Sequence, residues 1–351
     1  MTQRVHRLDV DDVAAPRRAF LRASAGALAL AVFGVRPRAA LAAVAPVDIA
    51  AALDACRVRR GPCKGAYALL PRAGVVWYFA SLALRLAWDV DPALRGNTRA
   101  YLDLHLDRLR ADYTIADVDD PSRDAGWREP DSHDAYAGTL LSLACEYAQR
   151  FGDMAWFARR AALLKDVAYA NLAVPQKPGG LVGAFQRPGT PGYLMNNCED
   201  WHGLQRLAQL LRQRGDGDAG YFALVADGVR AGIDGLFDPL ARRWRAADVP
   251  LGGGFYPALA CQVYPQAFGL PVDAARCDAG YAVLNAEAPG WENCDRDPYP
   301  WLALGAVAAL RGDRIHASAQ AACCDALASG DPARLTVNEL GWLRLLRRTL
   351  G

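Results

Sequence analysis

Three dipeptides constrain this chain more than any other feature: Gly152-Asp153, Gly215-Asp216 and Gly312-Asp313. Each ends one stretch of helical spacing and begins another. Glycine tolerates the left-handed conformation that closes a helix, and aspartate accepts from the free amides that open the next. Each dipeptide therefore reads as a tight turn between antiparallel helices. The links between these hairpins differ in kind. Segments 114–130, 172–197, 236–256 and 288–296 are long and rich in Gly, Pro and aromatic residues, and loops of such length in a compact domain usually carry function. Tight turns at one end and long loops at the other stand the hairpins side by side, with the loops gathered on one face.

The rest of the chain reads as helix after helix. Tyr136, Leu140, Leu143 and Tyr147 recur at helical steps, as do Trp201, Leu204, Ala208 and Leu211. The spacing predicts about twelve helices, near 47–57, 73–88, 97–113, 131–150, 153–171, 198–214, 217–235, 257–268, 271–287, 297–311, 313–329 and 336–348. Acidic and aromatic residues crowd several helix starts: Trp127, Glu129, Asp131, His133 and Asp134; Asn197, Glu199, Asp200, Trp201 and His202; Trp291, Glu292, Asp295, Asp297 and Trp301. Carboxylates and stacking rings converging on one rim suit a carbohydrate.

The first 42 residues stand apart from the fold. Arg17-Arg18 precedes a weakly apolar run from Ala23 to Val35, and Ala40-Leu41-Ala42 has the small-x-small pattern of a signal-peptidase site. The segment resembles a twin-arginine export signal, with Pro16 where that motif usually carries Ser or Thr. The resemblance implies a cleaved leader at 1–42, passage through the twin-arginine translocation machinery, a single domain at 43–351, and a periplasmic or secreted product. The apolar run is too short to span a bilayer, which takes about 20 residues, so no stable membrane anchor is expected.

Of 40 basic and 38 acidic residues in the full chain, seven Arg and three Asp fall within 1–42, leaving 33 and 35. That near-neutral balance, with no basic stripe, excludes a nucleic-acid partner. Nine cysteines in an exported chain allow disulfides, with Cys56 and Cys63 the most local pair, although twin-arginine substrates usually fold before export in a reducing compartment.

Hairpin number, loop alternation and acid-plus-aromatic helix starts over roughly 47–350 resemble the six-hairpin, or (α/α)6 toroid, glycosidase-like proteins. The resemblance implies an all-α ring in which substrate lies in a funnel at the N-terminal ends of inner helices. The helices starting near 131, 198, 257, 297 and 336 would be inner ones, and 47–57 the unpaired outer one. The alternative architecture, a helical repeat solenoid, has shorter and more regular repeats than these.

Helix capping accounts for many of the acids. Asp131 with Asp134, Asp297 before Pro298, and Thr336 with Glu339 all fit cap patterns. Asn196 or Asn197 caps the next helix as well, which releases Glu199 and Asp200 from that task. Glycoside hydrolysis needs one protonated carboxyl and one carboxylate acting as base or nucleophile. The sequence nominates Glu199 as general acid with Asp131 or Asp134 as partner. Trp127, His133, Asn197, Trp201, His202, Tyr264, Trp291 and Asp295 are the candidate substrate contacts. Cys198 and His202 share a helix face, as metal ligands would, but a buried thiol and an unrelated histidine explain them better. Gly252-Gly253-Gly254 lacks the Lys and Ser/Thr of a phosphate loop. No metal or cofactor is expected. The expected partner is an oligo- or polysaccharide, and the expected activity a glycoside hydrolase. One alternative is a polysaccharide lyase on the same fold, with Tyr264 or His202 as base. The other is a non-catalytic glycan-binding or scaffold protein.

Overall fold

The computed structural model describes residues 44–330 and 335–351; the leader expected at 1–42 lies outside the described residues. Twelve α-helices follow in chain order: α1 (Ile49–Cys56), α2 (Trp77–Leu86), α3 (Leu94–Asp107), α4 (Asp134–Phe151), α5 (Met154–Ala168), α6 (Leu194–Gln213), α7 (Ala219–Asp234), α8 (Tyr264–Ala267), α9 (Ala274–Glu287), α10 (Leu302–Leu310), α11 (Arg314–Gly330) and α12 (Val337–Leu350).

The even-numbered helices form the inner layer. Each packs on the next even-numbered one, and α12 packs back on α2, so the six close a ring. The odd-numbered helices lie outside, each following its inner partner, while α1 packs on α12 and completes the sixth pair from the N-terminal end. The fold is an (α/α)6 toroid. The sixth inner helix is α2, whose start carries no acid and so gave no signal of a site.

The turns close as their chemistry dictates. Gly152 and Gly312 take φ of 67° and 80°, and the Asp153 and Asp313 carboxylates accept from Trp156 N at 3.2 Å and His316 N at 3.2 Å. At the closest crossing, between α4 and α6, two glycines face each other. A β-carbon on Gly203 would lie 2.4 Å from the Gly138 carbonyl oxygen, so larger side chains would wedge the two helices apart. Trp77, Trp156, Trp244, Tyr101 and Phe157 are among the largest fully buried side chains around this framework.

Three local expectations are corrected. The helix expected from 297 begins at Leu302, because Pro298 and Pro300 bias the residues before them away from the helical region. Asp297 therefore caps no helix and instead accepts from Tyr299 N at 3.2 Å. The helix expected at 257–268 is broken into a π-turn (Phe255–Leu259), a 3₁₀ turn (Ala260–Val263) and the single turn of α8, with Tyr256 extended before Pro257. Two short antiparallel hairpins, β1 (Asp117–Asp120) with β2 (Ala125–Arg128) and β3 (Phe237–Asp238) with β4 (Arg243–Trp244), lie within the long loops. Their sequences lack the apolar alternation that announces a strand. None of the described helices is long and apolar enough to cross a membrane.

Candidate active site

The N-terminal ends of the inner helices line a cavity that opens to solvent. Tyr78 and Phe79 come from the first turn of α2, Met195 from α6, Tyr264 from α8, Trp301 and Ala303 from the start of α10, and Asn338, Glu339 and Trp342 from α12. Tyr256 and Tyr299 add rings from the long loops. Tyr256 and Trp301 stack at 5.0 Å and 22°. Trp301 holds φ at 53°, a left-handed conformation that costs a bulky residue energy and that clusters at functional sites. None of the described lining residues is Lys or Arg.

Two buried glutamates lie on inner helices three places apart in the ring: Glu339 lines the cavity, and Glu199 lies behind its wall, bonded to the lining residue Tyr78. Glu339, in the first turn of α12, is buried. Its Oε2 accepts from Leu302 N at 2.8 Å and its Oε1 from Asn338 Nδ2 at 3.4 Å. Burial outweighs these bonds and, aided by the nearby Asp297 charge, raises the carboxyl to about 7. The expected capping box thus does not form: Thr336 Oγ1 donates to Asn338, and Glu339 instead serves the first amide of the neighbouring helix α10. Glu199, on α6, is 1% exposed and accepts from Tyr78 Oη at 2.6 Å. The Tyr78 ring stacks on Tyr136 at 5.7 Å, and Tyr136 Oη donates to Asp117 Oδ2 at 2.8 Å. Burial lifts Asp117 to about 7.

Behind this pair lies a second acidic group. Asp134 Oδ1 accepts from Asn196 Nδ2 at 3.0 Å. Asp200 is fully buried between α4 and α6, and burial together with the Asp134 and Glu199 charges holds its carboxyl well above the usual carboxylate range. Deeper along the ring axis the interior is ionic. Glu146 takes Arg206 at 3.2 Å, His202 at 3.3 Å and Arg85 at 3.8 Å, while His202 Nδ1 meets Ser142 Oγ at 2.9 Å. Burial, then the Arg85 and Arg206 charges, push His202 far below its ordinary value, so its ring is neutral.

The residues nominated by sequence separate into groups. Tyr264 lines the cavity, Glu199 lies behind its wall on the Tyr78 hydroxyl, and Asp134 lies farther back. Asp131 is half-buried beside Asp117 and His133 packs edge-on against Phe185 at 5.1 Å; neither lines the cavity. Asn197 ties a long loop to α6, accepting from Val182 N at 2.7 Å and donating to Val182 O at 3.1 Å. Trp201 is buried on α6 next to His202, which belongs to the ionic layer. Trp127 is 56% exposed on β2, where Arg108 covers its ring. Trp291 is buried away from the cavity, stacked on His316 at 5.7 Å. Asp295 is exposed on the loop 288–301. Tyr78, Asn338, Glu339 and Trp342 were not nominated. The shared signal was position within the first turn or two of an inner helix, and for Glu339 it was masked by an apparent cap.

No protein-family model matches the chain, and no curated protein matches it. Solved structures do. A glycosidase variant superposes with a TM-score of 0.59 at 14% identity, over 98% of this chain and 99% of that one. A glycosidase variant in complex with glucose gives 0.56 at 13% over the same shares. A rhamnosidase from Klebsiella oxytoca with rhamnose bound gives 0.61 at 15%, over 86% of this chain and 62% of that one. At these identities the likeness establishes the shared toroid fold.

Proposed function

We propose that the chain is an exported glycoside hydrolase in which Glu339 is the general acid and Glu199 the general base. The observation that carries this reading is an aromatic-walled cavity lined by the buried Glu339, with a second buried glutamate, Glu199, bonded to the lining Tyr78 from an inner helix three places away. A carboxyl titrating near 7 is protonated in about half of the molecules at neutral pH, and in that form Glu339 protonates the departing glycosidic oxygen. Glu199, held by the Tyr78 hydroxyl behind the cavity wall, is the carboxylate partner; acting on the anomeric carbon through a water it would give inversion. The roles differ from the sequence expectation, with the proton donor moved from Glu199 to Glu339. The walls of Tyr256, Tyr264, Trp301 and Trp342 stack on the apolar faces of a pyranose ring. Two fold neighbours hold glucose and rhamnose, ligands of that size.

The lyase alternative needs an Arg or Asn against a uronic carboxylate; no described lining residue is Arg, and the lining Asn338 donates its amide to Glu339. A binder would retain affinity when the glutamates are neutralised and would release no product. Incubating the protein with a panel of oligosaccharides and following the product by NMR tests the assignment. The reading expects the anomer opposite to the bond cleaved, and turnover lower by about 10²–10⁴ in Glu199→Gln. Full turnover in Glu199→Gln would remove it. Export is tested separately: Arg17→Lys with Arg18→Lys is expected to leave full-length protein in the cytoplasm, and unchanged export would exclude the twin-arginine route.

A further inference from the structure

All nine cysteines are thiols, but two of them meet. Cys294 follows the 3₁₀ turn Trp291–Asn293 with φ at 56°, a left-handed conformation costly for a residue with a β-carbon. Cys323 lies on α11, where its Sγ donates to the Asn293 carbonyl at 3.0 Å. Cys294 Sγ donates to the Glu292 carbonyl at 3.6 Å, so both thiols are turned into the same Glu292–Asn293 turn, where each feels the other. Cys294 is buried and Cys323 partly exposed, so an oxidant reaches the pair from the Cys323 side. Cys324, the next residue, is turned about 100° round the helix and is buried in the core.

We propose that Cys294 and Cys323 are a disulfide site that ties the loop 288–301 to α11. The oxidant is a dithiol–disulfide exchange partner. The Cys323 thiolate attacks one oxidant sulfur and releases the other as a thiol. The Cys294 thiolate then displaces the remaining oxidant sulfur. One Sγ–Sγ bond forms, the oxidant disulfide breaks, and the two electrons and two protons lost by the cysteines appear as two oxidant thiols. The tied loop carries Tyr299 and Trp301, which form one wall of the cavity, so the bond fixes that wall to the outer layer. The local candidate from sequence, Cys56 with Cys63, has no such contact: Cys63 Sγ donates to Asp124 at 3.7 Å and Cys56 packs in the core.

Purified full-length protein incubated with oxidised glutathione, alkylated and mapped by mass spectrometry without reduction tests this. The expected result is a peptide pair linked through Cys294 and Cys323, absent in Cys323→Ser and retained in Cys324→Ser. The melting temperature of the oxidised chain should shift upward by on the order of 5 °C and return on reduction. A stable glutathione adduct at Cys323, a link through Cys324, or a Cys56–Cys63 link in its place would overturn the proposal, and the wild-type map alone decides between these outcomes.

Discussion

The two ends of the ring interior are built from the same helices and hold opposite kinds of polarity. At the N-terminal mouth, α6 presents Glu199 and α12 presents Glu339 among aromatic rings, with tyrosine hydroxyl, asparagine amide and backbone amide as partners. At the C-terminal end the same α6 presents His202 and Arg206, α2 presents Arg85, and all three converge on Glu146. Burial, with the nearby Asp297 charge, raises the Glu339 carboxyl to about 7, where a proton is easily given. Arg85 and Arg206 are held by Glu146, and Arg85 also feels the Glu199 charge. Burial alone does not mark a reactive group, since both ends are buried; the charges that surround it matter as much.

Variants at the two ends should therefore fail in different ways. The largest effect is expected at the mouth, where Glu339→Gln should lower turnover of a natural glycan by about 10²–10⁴ with little change in melting temperature. At the ionic end, Glu146→Gln leaves Arg85 and Arg206 without their shared anion and should destabilise by about 3 kcal/mol, measured by urea unfolding, while kcat of the remaining folded protein stays within a few-fold. Gly203→Ala, midway between the two ends, should cost about 1–3 kcal/mol through overpacking and alter both readouts only through stability.

A titration of stability sharpens the contrast further. Asp117 is raised from 3.8 to about 7. The unfolded chain thus ionises there first and the folded state loses stability as pH rises from about 4 to 7, with no further loss above. Asp117→Asn removes that loss. Its melting temperature relative to wild type should climb between pH 4 and 7 and then level off, and a difference constant across that window would show that Asp117 is not held protonated. The smallest effect belongs to Trp127→Ala on the exposed hairpin, expected within about 0.5 kcal/mol of wild type and without change in KM.

Much of the ring was legible in the sequence because its signals are local. Gly152-Asp153 and Gly312-Asp313 close turns by backbone conformation and capping, which depend on neighbouring residues alone, and the apolar spacing of α4 and α6 survives in the packed ring. The site was legible only in outline. Glu199 stood out because Asn196 or Asn197 was expected to cap the helix; the helix in fact begins at Leu194, and neither asparagine caps it. Glu339 did not, because Thr336-x-x-Glu339 is indistinguishable in sequence from a self-contained cap, whereas its carboxylate serves Leu302, 37 residues away. Tyr78 was hidden for the same reason, since its partner Glu199 is 121 residues distant. Trp127 and Trp291 misled in the opposite direction: aromatic residues at loop ends look alike whether they face solvent, the outer layer or a cavity.

The most direct test of the central claim, that the uncompensated Glu339 carboxyl supplies the proton, is kcat/KM of Glu339→Gln on aryl glycosides whose leaving groups span a wide pKa range. A leaving group that departs as a stable phenolate needs no proton. The account predicts near-wild-type rates for the most acidic phenols, a loss growing to about 10²-fold or more for the least acidic, and disappearance of the alkaline limb near pH 7. An equal loss across the whole series, with the alkaline limb retained, would contradict it.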